Sequence, residues 1–299
     1  MTTIAAIDCG TNTLKLLIGD LPDVAVRETR MVRLGQGVDR SGRISEEALA
    51  RAFAALDEYA VLIREHDVSR IRFCATSATR DATNGDVFAA GVRERLGVAP
   101  EVLTGEEEAA LAFDGALRHL RTPPETPVLV VDIGGGSTEL VLGAATPEVA
   151  HSMDVGSVRL HERHLHHDPP TPAQVQACVD DIDTTLDQSP VGLASAATVV
   201  GVAGTTLSVV AGVLDLPAYD GDLLDQSVVA VADIHDFVDR LVAMPLAERL
   251  ALPWMHPGRA DVIDAGALIL SRVLRRTGAE SMVASEADIL EGIAWSISG

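Results

Sequence analysis

The chain has 299 residues, with 44 acidic against 23 basic side chains and a formal net charge of −21. That charge excludes general affinity for nucleic acid or an anionic membrane surface, because no phosphate-neutralising excess exists. Hydrophobic residues make up 47%, charged residues 22% and aromatic residues only 3%, so the chain is globular and not disordered, long enough for two domains, and has a core of Ala, Val, Leu and Ile, as α/β layers with buried parallel strands do.

Residues 4–8 (IAAID) form an apolar run that ends on a carboxylate. A polar turn, CGTNT, and a second apolar run, LKLLIGDL, follow, which predicts a hairpin. A third strand is expected over 25–34. Ser45 before two glutamates predicts a capped helix running to about His66. A strand follows over 70–76 (RIRFCAT), then a helix over 84–96 and a strand over 99–103. Gly105 with Glu106, Glu107 and Glu108 opens another helix, to about Leu120. RTPPETP, residues 121–127, carries three prolines and reads as the linker between two domains. An N-terminal lobe over 1–123 and a C-terminal lobe over 124–285 are expected, with a last helix, 286–299, returning to the first lobe.

After the linker the opening pattern restarts: VLVVDI is a buried strand, GGGST a turn and ELVLG a second strand. Strand, Asp, Gly, polar turn and strand thus occur at 4–18 and again at 128–142, the mark of a duplicated fold. A strand near 147–155, a helix from Ser157, a helix over 172–187 and a strand over 197–202 come next. The last segments read as mostly helical. GRADVIDAGALILSRVLRR predicts one long buried helix, with Arg272, Arg275 and Arg276 at its negative end. Ser285 and Asp288 predict a capping box for the final helix.

No apolar run is long enough to span a bilayer. MTTIAAIDCGTNT lacks a basic leader region and reads as a first strand. Cys9, Cys74 and Cys178 show neither zinc nor disulfide spacing, so a cytoplasmic location is expected. The cluster His161, His164, His166 and His167 runs into Asp168-Pro169-Pro170 and lacks partner acids at helical spacing, which argues against a transition-metal site.

Three segments carry chemistry. In the first, Asp8 ends a strand. Gly10 permits a tight turn, Thr11, Asn12 and Thr13 offer donors to phosphate oxygens, and Lys15 adds charge. An ordinary hairpin with a satisfied turn has the same composition. In the second, Asp132 precedes Gly134, Gly135, Gly136, Ser137 and Thr138. Three successive glycines cost conformational entropy that a simple hairpin does not require, and suit close approach of backbone to a ligand. In the third, Gly204 and Thr205 lie at a strand-to-helix junction, where N–H groups face outward.

In this order the three segments resemble the phosphate and nucleotide loops of the actin, sugar kinase and heat-shock ATPase superfamily. Further segments resemble the exopolyphosphatase/guanosine pentaphosphate phosphatase (Ppx/GppA) family in its short form. They are Ala75 to Ala82 with Asn84, Thr104 to Ala109, Val155 to Leu160, Pro257 to Asp261 and Ser285 to Gly292. The resemblance implies an α/β fold of two ribonuclease-H-like lobes with an interdomain cleft.

It also implies a hydrolase of phosphoanhydride bonds that removes terminal phosphate from inorganic polyphosphate. The 5′-phosphate of guanosine pentaphosphate (pppGpp) is an alternative substrate, and a non-catalytic sensor of either ligand a further alternative. Glu108 is implied as the general base, Asp8, Asp132 and Glu108 as the Mg²⁺ site, Arg80 as the cation on the transferred phosphate, and a homodimer as the assembly. Lys15, Arg80 and Arg159, with Mg²⁺ and N–H-lined loops, are expected to offset the overall negative charge locally. Longer members of the family carry a further helical C-terminal region, so grip on long chains is the property this shorter form puts in question.

Overall fold

The computed structural model describes residues 3–298. The chain divides into two compact units. One runs to Gly115 and resumes at Ile289, and the other spans Ala116–Asp288.

The first unit is built on β1 (Ile4–Cys9), β2 (Thr13–Asp20), β3 (Asp23–Met31), β4 (Arg70–Ala75) and β5 (Glu101–Val102), in the order β3-β2-β1-β4-β5. β1 pairs antiparallel with β2 and parallel with β4. All six residues of β1 are buried, so period-2 alternation feeds two cores. Ala5, Ile7 and Cys9 join Leu14, Leu16 and Ile18 under the helix Glu46–Glu65. Ser45 caps that helix by accepting from the Ala48 N–H, as its sequence position predicts. Ile4 and Ala6 face the other way, with Leu17 and Cys74. There they meet Ala112 of the helix Gly105–His119 and Ile289, Leu290, Ile293 and Ala294 of the helix Ile289–Ile297. By the same alternation Asp8 and Lys15, partners across β1 and β2, belong to the face of the Gly105–His119 helix.

The second unit contains β6 (Val128–Ile133), β7 (Thr138–Gly143), β8 (Pro147–Met153), β9 (Thr198–Val202), β10 (Val228–Ala230) and β11 (Ser281–Ala284), ordered β10-β11-β9-β6-β7-β8. Leaving out β10, this is the order of the first sheet. The repeat seen in the sequence extends to hydrogen bonds: Gly10 N–H donates to Thr13 O at 2.9 Å, and Gly134 N–H donates to Ser137 O at 3.0 Å. It also extends past the third strand, where a glycine packs back on each turn. A Cβ on Gly35 would stand 2.3 Å from Thr11 Cγ2, and one on Gly156 would stand 2.5 Å from the Gly135 carbonyl carbon. The protein is an α/β fold of two ribonuclease-H-like lobes.

The structure departs from the sequence reading in four places. The last third contains β10 and β11, which are too short to show a period of their own. The buried helix begins at Ile263, not Gly258, because 259–262 are turns that follow Pro257-Gly258. Its basic end is held by carboxylates: Arg272 pairs with Asp183 at 2.6 Å, and Arg276 pairs with Asp183 and Asp187. Ser285 is not a helix cap; its hydroxyl donates to Ala287 O and accepts from Ala287 N–H, closing a local turn before the helix that starts at Ile289. The proline-rich segment 121–127 lies within the second unit, and the chain passes between units inside the Gly105–His119 helix. Among the described residues no helix is long and apolar enough to cross a membrane.

Candidate active site

In the first unit, β1 delivers Asp8 to a strand end, buried to 4% exposure. Lys15 on β2 faces it, Nζ to Oδ2 at 3.6 Å. β4 runs beside β1 and leads into the short helix Ser77–Asp81, which carries Arg80. Arg80 Nη1 donates to Leu103 O at 2.8 Å and to Glu108 Oε2 at 3.2 Å, so one guanidinium ties the strand end to the helix start. The first turn of the Gly105–His119 helix separates its three acids by role. Glu107 closes a capping box, accepting from Thr104 N–H at 2.9 Å while its own N–H donates to Thr104 Oγ1. Glu108 turns inward and is buried. Burial pushes its carboxyl group up to about 7, and the Asp8 charge pushes the same way. Arg80 and a hydrogen bond with Thr76 hold it down.

Around the first turn, Thr11 Oγ1 and Ser77 Oγ are 2.9 Å apart and buried. Asn12 O accepts from the Val32 and Arg33 N–H groups and Thr11 O from Gly35 N–H. The Asn12 side-chain oxygen is buried with no hydrogen-bond partner among the described residues. The structure thus brings Asp8, Lys15, Arg80 and Glu108 together, with the Gly10–Thr13 turn following Asp8 directly.

In the second unit, Asp132 and Ser137 are buried around the glycine turn. The helix Ser157–His164 begins against that turn. Ser157 N–H donates to Gly134 O at 3.0 Å, Val158 and Arg159 N–H groups to Gly135 O at 2.9 and 3.1 Å, and Arg159 Nε to Gly136 O at 2.7 Å. Thr138 carries its hydroxyl proton to Val155 O at 2.7 Å, which directs it away from a donor role toward a ligand. At the third segment, Ala203 adopts φ +61° at the start of the helix Ala203–Val213, a strained conformation for a residue with a Cβ. Gly204 follows, and its missing Cβ leaves room for the Arg259 guanidinium: a Cβ there would meet Arg259 Nη2 at 2.1 Å. Arg259 Nη1 donates to Ser208 Oγ at 2.9 Å, and burial pulls its pKa below the ordinary arginine value. Thr205 is buried one residue on. Arg259 has no counterpart in the sequence-derived site; its only signal was membership of the Pro257–Asp261 segment.

The histidines have ordinary partners. His161 Nδ1 lies 3.2 Å from Asp264 Oδ1, His164 Nε2 lies 2.9 Å from Asp181 Oδ2, and His167 Nδ1 lies 2.9 Å from Gln174 Nε2. Among the described residues no group of three or more His, Cys, Asp or Glu could hold a metal ion unaided.

Fold and site define a class: a duplicated α/β protein of two ribonuclease-H-like lobes, one with a raised-pKa carboxyl beside an arginine and the other with a glycine turn. The chain belongs to the Ppx/GppA phosphatase family, whose pattern matches residues 17–298. It is 46% identical over 319 aligned residues to exopolyphosphatase 2 of Mycobacterium tuberculosis, covering 100% of this chain and 99% of that protein. The crystal structure of an exopolyphosphatase-like protein superposes with a TM-score of 0.97 at 42% identity, covering 99% of both chains. The Ppx/GppA family member of Aquifex aeolicus superposes with a TM-score of 0.81 at 30% identity, covering 99% of this chain and 97% of that one.

Proposed function

We propose that this protein is an exopolyphosphatase that releases orthophosphate from the ends of inorganic polyphosphate. The observation that carries the reading is Glu108, a buried carboxyl raised to about 7 and held at 3.2 Å by Arg80. Such a group is half-ionised near neutral pH and suits general-base work on an attacking water. Arg80 supplies positive charge where phosphate charge shifts during in-line displacement, and Lys15 adds to it. Backbone N–H groups of the Gly10–Thr13 and Gly134–Ser137 turns would bind phosphate oxygens, with Arg259 giving further charge at the Gly204–Thr205 helix start. The 46% identity to a protein named exopolyphosphatase 2 supports polyphosphate as the substrate.

Mg²⁺ belongs to the same proposal. In the first unit Asp8 is a hard oxygen donor, Glu108 can be a second, and the buried, unsatisfied Asn12 oxygen adds an acceptor on the Asp8 turn; in the second unit Asp132 is a hard oxygen donor of the same kind. No full protein cage exists among the described residues. That suits an ion which keeps several waters and substrate oxygens. Its chemistry would be neutralisation of phosphate charge.

The test is phosphate release from long-chain polyphosphate, short-chain polyphosphate and guanosine pentaphosphate in Mg²⁺, with Glu108→Ala alongside. Release from polyphosphate that disappears in the variant is expected. Release from guanosine pentaphosphate alone would replace the substrate, and binding without release would replace the enzyme by a sensor.

A further inference from the structure

All three glycine carbonyls of the 134–136 turn are drawn to one side. Gly134 O accepts from Ser157 N–H, with Ser157 Oγ also 3.3 Å away. Gly135 O accepts from the Val158 and Arg159 N–H groups, and Gly136 O from Arg159 Nε. In a planar trans peptide the C=O and the following N–H point in opposite directions. Fixing these three carbonyls against the start of the Ser157–His164 helix therefore aims the N–H groups of Gly135, Gly136 and Ser137 the opposite way. Among the described residues none of these three N–H groups has a protein acceptor. Glycine peptides would otherwise rotate freely, so the direction of this donor row comes from its anchor. Gly156 makes the anchor possible, since a Cβ there would lie 2.5–2.6 Å from Gly135 and Gly136 backbone atoms.

We infer that Arg159 is a positioning residue: its Nε locks the Gly136–Ser137 peptide, the one member of the row that the helix backbone does not hold, so that the loop presents three aligned donors to a phosphate group. This rests on the phosphate-binding reading of the turn. It differs from the expectation that Arg159 acts through its charge, because what matters is a donor at the ε position.

Two variants separate geometry from charge. Arg159→Gln keeps an N–H donor at the ε position and removes the charge, whereas Arg159→Lys keeps the charge and places carbon there. With tripolyphosphate as substrate, Arg159→Lys is expected to raise KM about tenfold, the order of one lost hydrogen bond, and Arg159→Gln to recover most of that loss, with kcat changing less than KM in both. The reverse order, equal damage in both, or no change in either overturns the proposal. Amide spectra of protein labelled with ¹⁵N-glycine, titrated with tripolyphosphate, keep the underlying reading separate. Shifts at Gly135 and Gly136 are expected in the wild type and in Arg159→Gln, and weaker shifts in Arg159→Lys. A silent wild type overturns phosphate binding by this turn and the clamp with it. A responding wild type with an equally responsive Arg159→Lys overturns the clamp alone.

Discussion

Arg80 and Glu108 meet at 3.2 Å, yet the Glu108 carboxyl is pushed up to about 7, because burial outweighs the attraction of the guanidinium. The pair is therefore poised, with one proton held loosely at neutral pH.

This poise has a stability signature. Between the ordinary glutamate value of 4.5 and about 7 the folded protein holds the Glu108 proton while the unfolded chain has released it, so stability falls as pH rises through that window and is level above it. Glu108→Gln cannot ionise and escapes the loss. Above pH 7 it is expected to be more stable than the wild type by on the order of 3 kcal/mol, less the loss of its contact with Arg80, and no more stable at pH 4. Urea unfolding at the two pH values reads the difference, while phosphate release from the same variant is expected to vanish.

Neighbouring charges should move the Glu108 titration in opposite directions. Arg80→Met removes the attraction and raises the carboxyl further above 7. Asp8→Asn removes a repulsion and lowers it. Carbon-13 titration of the Glu108 carboxyl measures both without requiring turnover. In kcat/KM the acid limb should follow Glu108, with activity rising as pH increases through about 7 in the wild type.

Gly292 is the point where the last helix crosses the helix of Glu108. A Cβ there would meet Leu111 O at 2.0 Å and Leu111 C at 2.7 Å, backbone atoms that cannot swing aside. Gly292→Ala should force the helices apart, at a cost of about 1–3 kcal/mol. Because Glu108 lies one turn from Leu111, activity is expected to fall with stability, whereas a surface change such as Glu65→Gln should alter neither. Thermal unfolding beside phosphate release checks the coupling.

In the second unit Arg249, 2% exposed, places Nη1 2.8 Å from Asp264 Oδ2, itself fully buried. Asp264→Ala leaves the buried guanidinium only its longer, 3.4 Å contact with the half-exposed Asp168 and should cost about 3–5 kcal/mol. Replacing both residues by apolar side chains of matching volume should recover much of that. A double-mutant cycle in urea distinguishes the penalty of a stranded charge from the net worth of the pair.

The parts legible in the sequence are those where burial and turn chemistry agree over a dozen residues. The hairpins at 4–18 and 128–142 announce themselves because each strand is apolar on both faces and each turn has glycine after an aspartate. Glu108 could be distinguished from Glu106 and Glu107 only through the family segment, and its inward orientation follows from the capping box that holds Glu107 outward. β11 was missed because four residues, SMVA, show no period, although it pairs with β9 inside the sheet. The cap at Ser285 failed because the hydroxyl satisfies Ala287 instead. The Arg159 bond to Gly136 O joins residues 23 positions apart, and no local pattern encodes such a distance.

The helix Ile289–Ile297 completes the face of the first sheet opposite the Glu46–Glu65 helix, through Ile289, Leu290, Ile293 and Ala294. Ribosomes deliver the chain from its N-terminus, so this sheet emerges early and waits for almost the entire message before its second core can close. The second unit, contained in one stretch, has no such dependence. Nascent chains arrested before residue 289 should therefore hold a protected second unit beside a first unit still open to proteases and chaperones. The unit bearing Glu108 would be the first to be synthesised and the last to mature.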